Sequence, residues 1–269
     1  MNDSLKLKPS SHCAFYAFFA VMLTHALGVS EAIASPVPAA VVSQCEVRDG
    51  GAVTDGGGHV LAWHSVHDGA AWVPALAGTD AWGLPALESG GIAFDAPGNP
   101  ASPLTSEAAA VSTLFLVVNP AVSAYHFATL VEVPGAAVTA APRAAPKTYD
   151  PEEIAGLAVR VNGTDSLAFP DAPHVVEVDF AHPVAGSDLR IGGASACAGW
   201  GQEWRGHIVA TVAFNAPPSE TVRQVTRSYL ARRHGVAGSF PPPGRDAVFQ
   251  AVAQGLATHS LFSTLMILK

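Results

Sequence analysis

Eight consecutive residues, Val111-Ser112-Thr113-Leu114-Phe115-Leu116-Val117-Val118, carry almost no polar character, and that run limits the fold more than any other feature. It is short for a helix and too apolar for a strand with one wet face. It reads as a central β-strand that its neighbours must cover on both sides. Around it stand 25 glycines and 21 prolines among 269 residues, only 13% of which are charged. Such a chain suits short strands joined by many turns.

Strand character recurs at His59 to Val66, Ile92 to Asp95, Phe127 to Val133, Leu157 to Val161, His174 to Phe180, Leu189 to Ile191 and His207 to Phe214. In the His174 run the alternation points Val176, Val178 and Phe180 to a core and Val175, Glu177 and Asp179 away from it. Asn162-Gly163, between Val159-Arg160-Val161 and Ser166-Leu167-Ala168-Phe169, predicts a tight hairpin because both residues tolerate positive φ. Asn162-Gly163-Thr164 is also an N-glycosylation sequon. The Ala- and Pro-rich stretch from Pro134 to Pro151 reads as a surface insertion.

One helix is marked at both ends. Ser219 is placed to cap it, Glu220 sits in its first turn, and Val222, Val225, Tyr229 and Leu230 form one stripe. Arg232 and Arg233 occupy the last turn and Gly235 ends it. Beyond Pro241-Pro242-Pro243, the largely apolar stretch Asp246 to Leu268 reads equally as a closing strand, a docking helix or a partner-binding segment.

Residues 1–34 have the pattern of a cleavable export signal. Lys6 and Lys8 precede an apolar run from Ala14 to Leu23, too short to span a bilayer, and Ala32-Ile33-Ala34 puts small residues before a cut at Ser35. The expected location is extracytoplasmic, in a periplasm or at a cell surface, with no transmembrane span in the mature chain. The formal net charge is −8 and no basic stripe occurs, which argues against nucleic-acid partners. Cys45 and Cys197 remain after cleavage, and a disulfide between them would close a loop of about 150 residues; two buried free thiols are the alternative.

Leu189-Arg190-Ile191-Gly192-Gly193, then Trp204-Arg205-Gly206-His207-Ile208-Val209-Ala210, then the Ser219 to His234 helix with Tyr229-Leu230-Ala231, resemble the end of a bacterial LamG-like domain of the concanavalin A-like lectin and glucanase superfamily. Val60-Leu61-Ala62-Trp63, Gly91-Ile92-Ala93-Phe94-Asp95 and Thr113 to Val118 resemble its earlier strands. The resemblance covers residues 48–236 and implies an all-β, two-sheet antiparallel jelly-roll sandwich with one short C-terminal helix. Residues 35–47 would then be a lead-in, and residues 237–269 a Pro-rich linker and apolar tail.

Glu177-Val178-Asp179 resembles the E-x-D-x-x-E signature of retaining glucanases in that superfamily. Retaining hydrolysis needs two carboxyls about 5 Å apart, but His182 stands where the third acid belongs, so Glu177 and Asp179 read as the polar face of a strand and the chain as non-catalytic. Trp72, Trp82 and Trp200 are candidates to stack on sugar rings; Trp63 and Trp204 fit a core. Calcium is common in the superfamily, and Asp68, Asp95 and Asn99 are conceivable ligands. His59, His64 and His67 make a weaker metal set. The expected function is a secreted or surface-exposed, lectin-like module binding a glycan or an extracellular protein. The alternatives are a structural or adhesive surface protein that assembles through its tail, and a degenerate glycoside hydrolase.

Overall fold

The computed structural model describes residues 39–66, 69–75, 83–94, 101–121, 128–141, 147–151, 154, 156–194 and 203–256. The strands are β1 (Val41–Glu46), β2 (Ala52–Thr54), β3 (Val60–Trp63), β4 (Trp72–Pro74), β5 (Ala86–Glu88), β6 (Gly91–Ala93), β7 (Leu104–Ser106), β8 (Val111–Pro120), β9 (Thr129–Val133), β10 (Ala136–Thr139), β11 (Leu157–Val161), β12 (His174–Val184), β13 (Arg190–Ile191) and β14 (Gly206–Phe214). Two helices follow, α1 (Glu220–Arg233) and α2 (Arg245–Ala253). Sheet 1 runs β11-β12-β8-β14-β6-β5, with β1 also on β14, and sheet 2 runs β10-β9-β13-β7-β4-β3-β2. Every strand ladder is antiparallel. The result is a β-sandwich, with no closed barrel among the described residues.

Strand β8 shows why the sandwich forms. Its Val111, Leu114, Leu116 and Val118 belong to the core between the sheets, while Phe115 and Val117 belong to a second core on the opposite face. β12 follows the same rule: Val176, Val178 and Phe180 enter the first core and Val175 the second. Period-2 alternation sends successive side chains to opposite faces, so an uninterrupted apolar run requires two covers. Sheet 2 is one cover. The other is α1, which lays Val222, Val225, Tyr229 and Leu230 against Phe115, Val117, Val175, Val212 and Phe214, with α2 adding Val248 and Ala251. The face of β12 expected to point away is therefore roofed.

Two glycines permit close approaches that fix this geometry. Gly192 has φ +84°, and a Cβ there would lie 2.3 Å from the Phe94 ring. Gly206 has φ +127°, and its Cβ would lie 2.3 Å from the Asn119 carbonyl oxygen, where β14 starts beside the end of β8. No side chain fits either position without moving backbone or a buried ring.

Several expectations need correction. There are two helices, because residues 245–253, read as part of the apolar tail, form α2 and dock on the second core. The lead-in contains β1, which is paired with β14. The supposed insertion holds β10, hairpinned to β9 through Pro134-Gly135, and the fully buried Tyr149. Asn162 and Gly163 do adopt positive φ, 52° and 79°, but β11 pairs with β12, whereas Ala168 bridges to Thr148. Turn chemistry fixed the local bend; the apolar face of β12 chose the partner. Among the described residues no helix is long and apolar enough to cross a membrane.

Candidate functional site

Glu177 and Asp179 lie beneath α1. Glu177 is fully buried. Its Oε1 accepts from Arg160 Nη1 at 2.9 Å and from Arg223 Nη1, and its Oε2 accepts from Arg227 Nη1 at 2.9 Å. Asp179 accepts from Thr113 Oγ1 at 2.7 Å, Arg160 Nη1 at 2.9 Å and Arg223 Nη1 at 2.8 Å. Register brings them together, since Arg160 on β11 stands opposite Glu177 and Arg223 and Arg227 are one turn apart on α1. Burial works to lower the Arg160 pKa, but Asp179 and Glu177 outweigh it and raise it. A hydrolytic acid must reach substrate and pass it a proton. Glu177 instead touches three guanidinium groups and no solvent, and His182 is exposed farther along β12.

A second ionic cluster pins the other end of α1. Glu46, fully buried on β1, accepts from Tyr229 Oη at 2.5 Å, Gln44 Nε2 at 3.0 Å and Arg233 Nε, and lies 3.3 Å from His234 Nε2. Burial works to raise its carboxyl, but His234, Tyr229, Gln44 and Arg233 outweigh it and hold the pKa at about 2. Burial and the Glu46 charge push the Tyr229 hydroxyl upward. The only sequence signal for these clusters is Arg223 and Arg227, spaced i, i+4 beside the apolar stripe. Nothing local in the sequence marks Glu46.

The expected sugar and metal residues separate. Trp72 is fully buried in the core between the sheets, opposite Trp63; with no exposed face it cannot stack on a sugar, and it leaves the candidate set. Trp82, Trp200, Asp68, Asp95, Asn99, His67 and Cys197 lie outside the described residues. Cys45 is a free thiol on β1 that donates to the Trp63 carbonyl at 3.3 Å. Burial pushes its pKa up to about 12. His59 is exposed and pairs with Asp55 at 3.0 Å. No group of three potential metal-binding side chains occurs among the described residues. Asn162 Oδ1 accepts from the Val175 amide at 2.9 Å, which ties the sequon to β12.

The described ends of several loop segments do gather at one rim of the sandwich. Ala75 N donates to Pro103 O at 2.8 Å, Ser102 N to Gly83 O at 2.8 Å, Ala101 N to Phe94 O at 3.3 Å, Trp204 N to Gly192 O at 3.0 Å and Ala121 N to Arg205 O at 3.0 Å. These anchors flank 76–82, 95–100, 195–202 and 122–127, three of which hold Trp82, Asp95 with Asn99, and Trp200 in sequence. Asp68 is set apart, because its flanking residues Val66 and Ala70 donate to Gln44 O and Val42 O, at the opposite end of β4. The candidate calcium set is thus divided between two places. Comparison with known proteins adds nothing to this geometry: no family model, no curated protein and no solved structure matches the chain.

Proposed function

We infer that this chain is an exported, non-catalytic binding module, a jelly roll of the concanavalin A-like kind that takes a carbohydrate. The observation that carries the reading is the rim, where the anchors of three segments bearing the aromatic and oxygen-rich candidates meet. Two further points support it. Phe94 of the Gly91 to Asp95 motif packs on Gly192 of the Leu189 to Gly193 motif, so two pieces that carried the family resemblance lock together. The carboxylates that a hydrolase of that superfamily would use are occupied by Arg160, Arg223 and Arg227.

A glycan array probed with residues 35–269, with and without calcium, tests the reading. Binding to at least one glycan class is expected, and binding to none removes carbohydrate from the proposal. Export is tested separately by N-terminal sequencing of the extracytoplasmic protein, which should begin at Ser35.

A further inference from the structure

Four arginines on the helix side, Arg160, Arg223, Arg227 and Arg233, each donate to a carboxylate. Arg190 is different. It sits on β13 near the middle of sheet 2, opposite Glu132 of β9 and Thr105 of β7. The row continues to Ala137 on β10 and Val73 on β4. All five residues are partly exposed, whereas their strand neighbours Ile191, Leu104 and Val131 are buried between the sheets. The row therefore forms part of the outer face of sheet 2.

The Arg190 Nε is buried and has no hydrogen-bond partner, and its Nη1 stands 3.6 Å from Glu132 Oε2, an ion-pair contact too long for a hydrogen bond. A guanidinium carries five N–H donors in a fixed fork, and a buried donor without an acceptor is destabilising until something supplies one. This position is short of acceptors, and the chemistry around it selects what can fill the gap. An anionic ligand would meet the Glu132 carboxylate, and a cationic one would meet Arg190. A neutral polyol satisfies both, because one oxygen accepts from Arg190 while a neighbouring hydroxyl donates to Glu132. Val73 and Ala137 flank the pair with apolar surface suited to the C–H faces of a sugar ring.

We propose that the Arg190–Glu132 row on the outer face of sheet 2 is a contact site for a neutral saccharide. This rests on the carbohydrate-binding reading above and gives it a location, since β13 runs from Arg190 straight to Gly192 at the rim. The test uses residues 35–269 with neutral hexasaccharides (cellohexaose, laminarihexaose and mannohexaose) and with trigalacturonate as the acidic arm.

Binding to one of the neutral probes is expected, with a shift of the Arg190 Nε–H resonance in the wild-type protein on saturation. Arg190→Gln and Arg190→Lys should each weaken that binding roughly tenfold or more, the lysine because it cannot reproduce the fork, with thermal unfolding unchanged. Neutral-saccharide binding that survives Arg190→Gln with an unmoved Nε–H signal overturns the site and leaves the carbohydrate reading standing. Binding of trigalacturonate alone overturns the neutral ligand class. Binding to no probe here and none on the array removes both.

Discussion

The sandwich has two buried layers that share strands β8 and β12 yet are built on opposite principles. The layer between the sheets is closed almost wholly by apolar side chains, Phe94, Leu114, Leu116, Leu130 and Trp204 among them. Its ionisable exception is His174, stacked on Phe169, with Nδ1–H donating to Ala172 O at 3.0 Å and Nε2 accepting from Tyr149 Oη at 3.1 Å. The layer between sheet 1 and α1 has an apolar ridge flanked by two ionic clusters, one on β11 and β12 and one on β1. Apolar packing is indifferent to which of several similar surfaces it covers. Charges that must meet specific partners set where α1 lies, from Glu177 at one end to Glu46 at the other.

The largest expected effect separates the layers directly. Glu177→Ala leaves Arg160, Arg223 and Arg227 without their shared acceptor, and removing one partner of a buried ion pair costs about 3–5 kcal/mol. Leu116→Ala, in the core between the sheets, should cost somewhat less, about 3 kcal/mol, from lost burial plus an unfilled cavity. Urea titrations measure both. The comparison is broken if Glu177→Ala proves neutral, for then α1 is held by its apolar ridge and the charges are incidental. It is sharpened if amide exchange accelerates across α1 in Glu177→Ala but in the strands of both sheets in Leu116→Ala.

What the sequence disclosed follows the same division. The core between the sheets was legible, because alternation in β12 and the unbroken run in β8 are local patterns with one geometric solution. The α1 boundaries were legible from Ser219, Glu220 and Gly235. Short strands such as β2, β4, β5, β7 and β10 were not, since three or four residues beside Gly or Pro carry too little periodicity to register. The ionic layer was hidden for a different reason. Glu46 and Arg233 are 187 positions apart, and only the β1–β14 pairing brings the start of the domain under its last helices. The same distance concealed Arg190, whose pairing with Glu132 depends on the register of β13 against β9. Trp72 misled because a loop-like Gly and Ala context hid a three-residue strand.

Acid should attack the two layers in sequence. His174 is pushed down by burial, against the Ala172 carbonyl, to about 4 from an ordinary 6.5; the unfolded chain takes up its proton first, so stability falls as pH drops below 6.5 and that loss is complete near 4. Glu46 is lowered from 4.5 to about 2, so its contribution is full above 4.5 and is lost as pH falls through 2. Each shift corresponds to something on the order of 3 kcal/mol. In unfolding free energies measured from pH 7 to pH 2, His174→Phe should flatten the slope between 6.5 and 4 and leave the lower slope intact. A single slope removed by neither His174→Phe nor Glu46→Gln would show that the layers do not titrate separately.

The smallest effect concerns the start of α1 alone. Ser219 has extended backbone and its Oγ accepts from the Val222 amide at 3.4 Å, a long cap bond at the point where the chain leaves Pro217-Pro218 for the helix. Ser219→Ala should cost about 1 kcal/mol or somewhat less, the usual range for a lost N-cap. Because Arg223, one turn later, is anchored on Glu177 and Asp179 and donates from Nε to the Pro218 carbonyl at 3.0 Å, the first turn is held from two directions. The loss should appear as faster exchange at the amides of Val222 and Arg223, with the strands between the sheets unchanged. In the Glu177→Ala background the ionic anchor is gone, and the same Ser219→Ala substitution should cost more than it does alone. Equal costs in the two backgrounds would mean that cap and clamp hold α1 independently, and that the ionic layer acts on the body of the helix without governing its end.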